Sequence, residues 1–81
     1  MKLNIDEFEN FAIEQGYDSG TELFEAIGFT AEDYEDYKDG KHITEDMLMY
    51  LYKEIGVSDV VDFVDFGEYE WEKHIDLLDN L

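Results

Sequence analysis

Five glycines, at positions 16, 28, 40, 56 and 67, each stand just after an amphipathic run. Glycine enters the left-handed conformation that ends a helix at little cost, and no proline intervenes to impose other turns. The chain therefore reads as a succession of short helices, each stopped abruptly. Start signals match the stops. Asn4 precedes Ile5, Phe8, Phe11 and Ala12; Ser19, with Glu22 three residues on, precedes Leu23, Phe24 and Ile27. Thr30 is followed at the same interval by Asp33, an acidic form of the capping box. Thr44 opens a run of Met47, Leu48, Leu51, Tyr52 and Ile55, and Ser58 opens Val60, Val61, Phe63 and Val64. A last helix is expected from Glu68 to about Asn80, with Trp71 sealing the core and His74 packed beside it. The segment VVDFVDF, near 60–66, is rich enough in β-branched and aromatic residues to suit a short strand as well. The expectation is an all-α fold over 1–81, one compact domain of five or six short helices.

At 81 residues such a domain is close to the smallest size that one apolar core supports unaided. There is no cysteine, so neither a disulfide framework nor a thiolate metal site can staple it, which suits a reducing, cytoplasmic setting. The core must be apolar packing, and 44% hydrophobic with 16% aromatic residues is too rich for a disordered acidic tail. The amino terminus has no apolar run after its lysine, and no stretch approaches membrane-spanning length.

Against that core stands an extreme charge. Twenty-three acidic residues face five lysines and no arginine, a net charge of −18, far beyond the roughly 2 to 8 that keeps a small domain soluble. A surface of that sign repels DNA, RNA and anionic membranes; any macromolecular partner is expected to be cationic. Adaptation to high salt would also enrich acids, but the large apolar residues retained here fit it poorly.

The acids are densest between Thr30 and Asp46, where Glu32, Asp33, Glu35, Asp36, Asp39, Glu45 and Asp46 are interleaved with Tyr34 and Tyr37. Like charges three and four residues apart repel along a helix, so this segment is expensive to keep unless its charge is used.

From residue 16 to residue 63 the order of parts resembles a Xre/Cro-type helix-turn-helix domain. The matching residues are Ala26, Ile27, Gly28, Phe29 and Thr30, then Gly40 and Lys41 after the would-be recognition helix, then Leu48, Leu51, Ile55, Gly56, Val57 and Ser58. The resemblance implies a recognition helix that begins at residue 31. In the family that helix presents amide, hydroxyl or basic side chains to base edges and phosphates. Here it presents Ala31, Glu32, Asp33, Glu35 and Asp36, which would set carboxylates against phosphates. Scaffold and sign together suggest a protein that imitates DNA instead of binding it. Duplex DNA carries one charge per about 1.7 Å of axis, and a helix rising about 1.5 Å per residue approaches that density with acids at every second or third position. In size and balance the chain is similar to the folded acidic inhibitors of phages and mobile elements, among them anti-CRISPR and antirestriction proteins.

The expected function is thus occupation of the cationic groove of a basic nucleic-acid-binding protein, such as a CRISPR effector nuclease, a restriction enzyme or a repressor. The expected contact residues are Glu32, Asp33, Tyr34, Glu35, Asp36, Tyr37, Asp39, Glu45 and Asp46. Asp65, Glu68, Tyr69 and Glu70 form a second set. The tyrosines are included because Tyr is enriched at interface hot spots. The alternative is an interaction domain that has lost DNA binding and antagonises a helix-turn-helix repressor by pairing with it.

Catalysis and cofactors are not expected. His42 and His74 lack the spacing of a zinc-peptidase helix, and no serine or cysteine sits in a nucleophile context. The stretch DYKDGKHITEDML resembles a calcium loop only in outline. With Gly40 at the sixth position, Tyr37 falls where the third-position ligand should be and His42 where an apolar residue belongs.

Overall fold

A computed structural model of the chain describes residues 1–67, 75, 76, 78 and 79. Within them the helices are α1 (Ile5–Glu14), α2 (Gly20–Ala26), α3 (Ala31–Lys38), α4 (Glu45–Glu54) and α5 (Val57–Phe63). The strands are β1 (Lys2–Leu3) and β2 (Val64–Asp65), which pair antiparallel, Lys2 opposite Asp65 and Leu3 opposite Val64. The domain is all-α, with this two-residue clasp as its only sheet among the described residues.

Four helix starts follow the caps read from the sequence. Side chains of Asn4, Ser19, Thr30 and Thr44 accept the backbone N–H groups of Glu7, Glu22, Asp33 and Met47 respectively, satisfying donors that a helix start leaves without a partner. At Thr30 the capping box is complete, because the Asp33 carboxylate accepts the Thr30 N–H at 3.0 Å. The fifth start differs from expectation. Ser58 lies inside α5, whose cap is Gly56 with no side-chain hydrogen bond, and the helix begins at Val57. The strand near 60–66 is confined to Val64 and Asp65; residues before it are claimed by α5, whose Val60 and Phe63 must face the core. Residues 75, 76, 78 and 79 are helical, while Glu68, Tyr69, Glu70, Trp71 and His74 lie outside the described residues.

The five punctuating glycines all have positive φ. Gly40, at φ 105°, separates conformation from packing, since a Cβ built there meets nothing within 4 Å. Gly40→Ala is therefore expected to destabilise through backbone strain alone, by about 1 kcal/mol or more. Urea denaturation measures this, and an unchanged midpoint would contradict it.

The core is an aromatic cluster centred on Phe8. Its ring meets Phe63 at 5.0 Å and Phe24 at 5.7 Å, both edge to face, and Tyr34 at 5.6 Å. Leu48, Leu51 and Val60 complete the fully buried set with them. Edge-to-face rings add about 0.5–1.5 kcal/mol each beyond area burial, which matters in so small a core. Helix α1 packs on α2 and α5, α4 packs on α5, α2 packs on α3, and β1 lies against α3. Helix α3 is thereby held on its inner side by α2 and β1.

Candidate protein-binding face

Helix α3 turns two tyrosines inward and its acids outward. Glu32, Glu35, Asp36 and Asp39 are exposed and follow one another at three- or four-residue and adjacent positions, so they share the outer side. Asp33 is half-buried, its carboxylate engaged in the Thr30 capping box; those hydrogen bonds hold its pKa below the usual carboxylate value. It contributes negative charge while fixing the helix start, near which the helix dipole favours an anion.

Burial corrects the expectation that Tyr34 reaches a partner, and it leaves Tyr37 only an edge, at the groove it lines with Asp46 and Tyr50. Tyr34 is 0% exposed and Tyr37 is 8% exposed. Spaced three residues apart, they form the apolar stripe by which this very acidic helix attaches to the core. Tyr34 meets Phe8 and Phe24, and Tyr37 meets Phe24 at 5.7 Å. Two lysines lie over the rings, Lys38 Nζ at 5.6 Å from the Tyr34 centroid and Lys41 Nζ at 5.3 Å from that of Tyr37. Lys38 also pairs with Glu35 at 3.4 Å, an exposed pair of small energetic worth.

The phenol of Tyr34 ends in a junction that the sequence did not disclose. Its hydroxyl donates to Glu9 Oε1 at 2.5 Å, and the Gly20 N–H donates to Glu9 Oε2 at 2.9 Å. One carboxylate from α1 thus joins the first residue of α2 to the middle of α3. Burial, and then the neighbouring Glu9, push the Tyr34 phenol well above its ordinary pKa. Burial also raises the pKa of Tyr37, aided by Asp33 and Asp36.

The remaining expected contact residues are distributed unevenly. Glu45 and Asp46 are exposed in the first turn of α4. Asp46 is brought to Tyr37 around a shallow groove of about 300 Å³, also lined by Gly28, Phe29, Met47 and Tyr50. Asp65 is exposed on β2, where it accepts the Gly67 N–H at 3.0 Å and stabilises the turn that follows.

A second acidic groove had no counterpart in the sequence reading. Glu7 and Glu14 of α1 face Asp59 and Asp62 of α5 across a floor of Phe11 and Phe63, around about 300 Å³. Acidity is therefore a property of at least two faces, and only α3 was legible as a continuous run. Among the described residues no group of three His, Cys, Asp or Glu is arranged to hold a metal ion, and no helix is long and apolar enough to cross a membrane. Comparison with known proteins adds no relative: no family model matches the chain, and neither a curated protein nor a solved structure is significantly similar to it.

Proposed function

We propose that this chain is a DNA mimic that occupies the cationic nucleic-acid-binding groove of a basic protein, acting by occupancy and not by catalysis. The observation that carries the reading is the outward row of Glu32, Glu35, Asp36 and Asp39 on a helix anchored by buried tyrosines. A charge pattern must be rigid to imitate a duplex, and a capped helix fastened to the core holds it in place before binding. Glu45 and Asp46 extend the acidic surface onto α4. Within that class, an anti-CRISPR or related anti-defence inhibitor fits best, since such effectors expose long grooves rich in Lys and Arg. The helix-turn-helix-like order of residues 26–30 and 48–58 favours a second reading, in which the chain pairs with a repressor and prevents its binding to DNA.

Competition decides the matter. Purified guide-loaded CRISPR nucleases, restriction enzymes and repressors are tested for binding to labelled duplex DNA with and without the chain. One effector is expected to lose its duplex in proportion to added protein. Its association with the chain should weaken on the order of 100-fold between about 50 and 200 mM salt. An association rate flat across that range would overturn the mimic reading. A stable complex with a repressor alone, displacing it from its operator, would establish the second.

A further inference from the structure

We propose that the groove between α3 and α4 is an anchor pocket for one arginine side chain of the basic partner. The inference rests on the mimic reading for its partner class, but on a different set of residues for its geometry. The groove holds about 300 Å³, lined by Gly28, Phe29, Tyr37, Asp46, Met47 and Tyr50. The exposed ring of Tyr50, the partly exposed ring of Phe29, an edge of Tyr37 (whose ring already carries Lys41 Nζ at 5.3 Å), a thioether and one carboxylate form a surface that suits a flat cation. Guanidinium stacks on aromatic faces, is more weakly hydrated than ammonium, and offers a planar fork to a carboxylate.

The walls are fixed in advance. Tyr50, the most exposed ring of the three at 38%, is tethered through its hydroxyl, which donates to the Ile27 carbonyl at the end of α2. Phe29 meets Tyr50 edge to face at 5.5 Å and stacks on the buried Phe24 at 4.3 Å. Tyr37 is held by the core. Rings so immobilised lose little further freedom when a side chain enters, which is the usual condition for an interface hot spot. Asp46 is exposed at the rim. It stands in a chain of net charge −18, so the occupant that complements both the apolar walls and the field is cationic. Continuity with the α3 face is supplied by Tyr37, whose neighbours Asp36 and Lys38 point outward.

The probe is N-acetyl-arginine methylamide, titrated into the full chain and followed by NMR at the Met47 methyl and at the rings of Phe29 and Tyr50. The neutral citrulline analogue, equal in shape, serves as the comparison. Arginine amide is expected to shift these signals saturably, and the citrulline analogue to leave them in place. Asp46→Asn, an exposed change, should weaken binding about fivefold, whereas Glu14→Gln in the other groove should not. Shifts spread evenly over both acidic grooves, or undiminished in Asp46→Asn, would overturn the pocket. The duplex competition stands apart from this test. Arginine held in the groove without duplex competition would leave the pocket and remove the mimic, and duplex competition without arginine in the groove would do the reverse.

Discussion

Tyr34→Ala is expected to unfold the domain or leave it barely folded at room temperature. Removing a large buried ring forfeits about 3–5 kcal/mol, and a domain of this length has roughly 5–10 kcal/mol in all. The loss is compounded because Tyr34 is where the core, α3 and the Glu9 carboxylate meet. Tyr34→Phe keeps the ring and isolates the junction; with Glu9 Oε1 deprived of its donor, about 1–3 kcal/mol should be lost. Gly20→Ala attacks the same junction from α2. A Cβ there collides with the Tyr34 hydroxyl and comes within 2.5 Å of Glu9 Oε1, so a loss of about 1–3 kcal/mol is expected.

The junction also has a pH signature. The folded state raises the Tyr34 pKa, so its contribution to stability is complete below the ordinary phenol value near 10. As pH rises beyond that value the unfolded chain loses the proton while the folded chain keeps it, and stability falls. Urea midpoints at neutral pH and at about pH 11 should therefore converge for the wild type and Tyr34→Phe. Some alkaline loss will persist in the variant, since Tyr37 is shifted in the same direction. A gap between the two proteins that stays constant through that range would show that Tyr34 does not hold its proton.

The largest functional effect is expected from neutralising the outer face of α3. Glu32 with Glu35, and Asp36 with Asp39, converted pairwise to Gln and Asn, should each weaken duplex competition on the order of 100-fold, taking about 1.5 kcal/mol or more per charge desolvated against a cationic partner. Stability should hold or rise slightly, because like-charge repulsion along the helix is relieved. The comparison set is Glu7→Gln with Glu14→Gln on α1. Glu9 is excluded from it, since its carboxylate holds α2 and α3 and its loss would confuse folding with binding. Equal loss from both sets would mean that net charge alone matters. No loss from either would take the interface off these faces.

Particular residues show why some features could be read from the sequence and others could not. Caps and stops are local: a polar side chain three residues before its backbone partner, or a glycine after an apolar run, carries its own evidence, and Asn4, Ser19, Thr30, Thr44 and Gly40 were all legible. Ser58 misled because the same residue type fits the first turn of a helix whose start a glycine has already made. The inward turn of Tyr34 and Tyr37 is hard to read because α3 has only eight residues, most of them charged, so two inward positions do not register as an apolar face. The three-residue interval between them was the available signal. The Glu9 junction spans 25 residues of chain to Tyr34, and nothing local marks one glutamate among many acids as structural. Likewise Phe29, which lies between α2 and α3, and Tyr50 of α4 line one groove only once the chain has folded.

The clasp at the amino terminus bears on the order in which the molecule is built. Leu3 is buried, the Asn4 N–H donates to the Phe63 carbonyl at 2.8 Å, and the Ile43 N–H donates to the Met1 carbonyl at 2.7 Å. Residues 1–4 are thus bound both from mid-chain, at Ile43, and from the junction of α5 and β2, at Phe63 and Val64. The caps and stops of each helix lie within its own segment, so the helical contacts are local. The β1–β2 pairing joins Lys2 to Asp65 across nearly the whole of residues 1–67, so its closure is a long-range event that follows the local helical contacts.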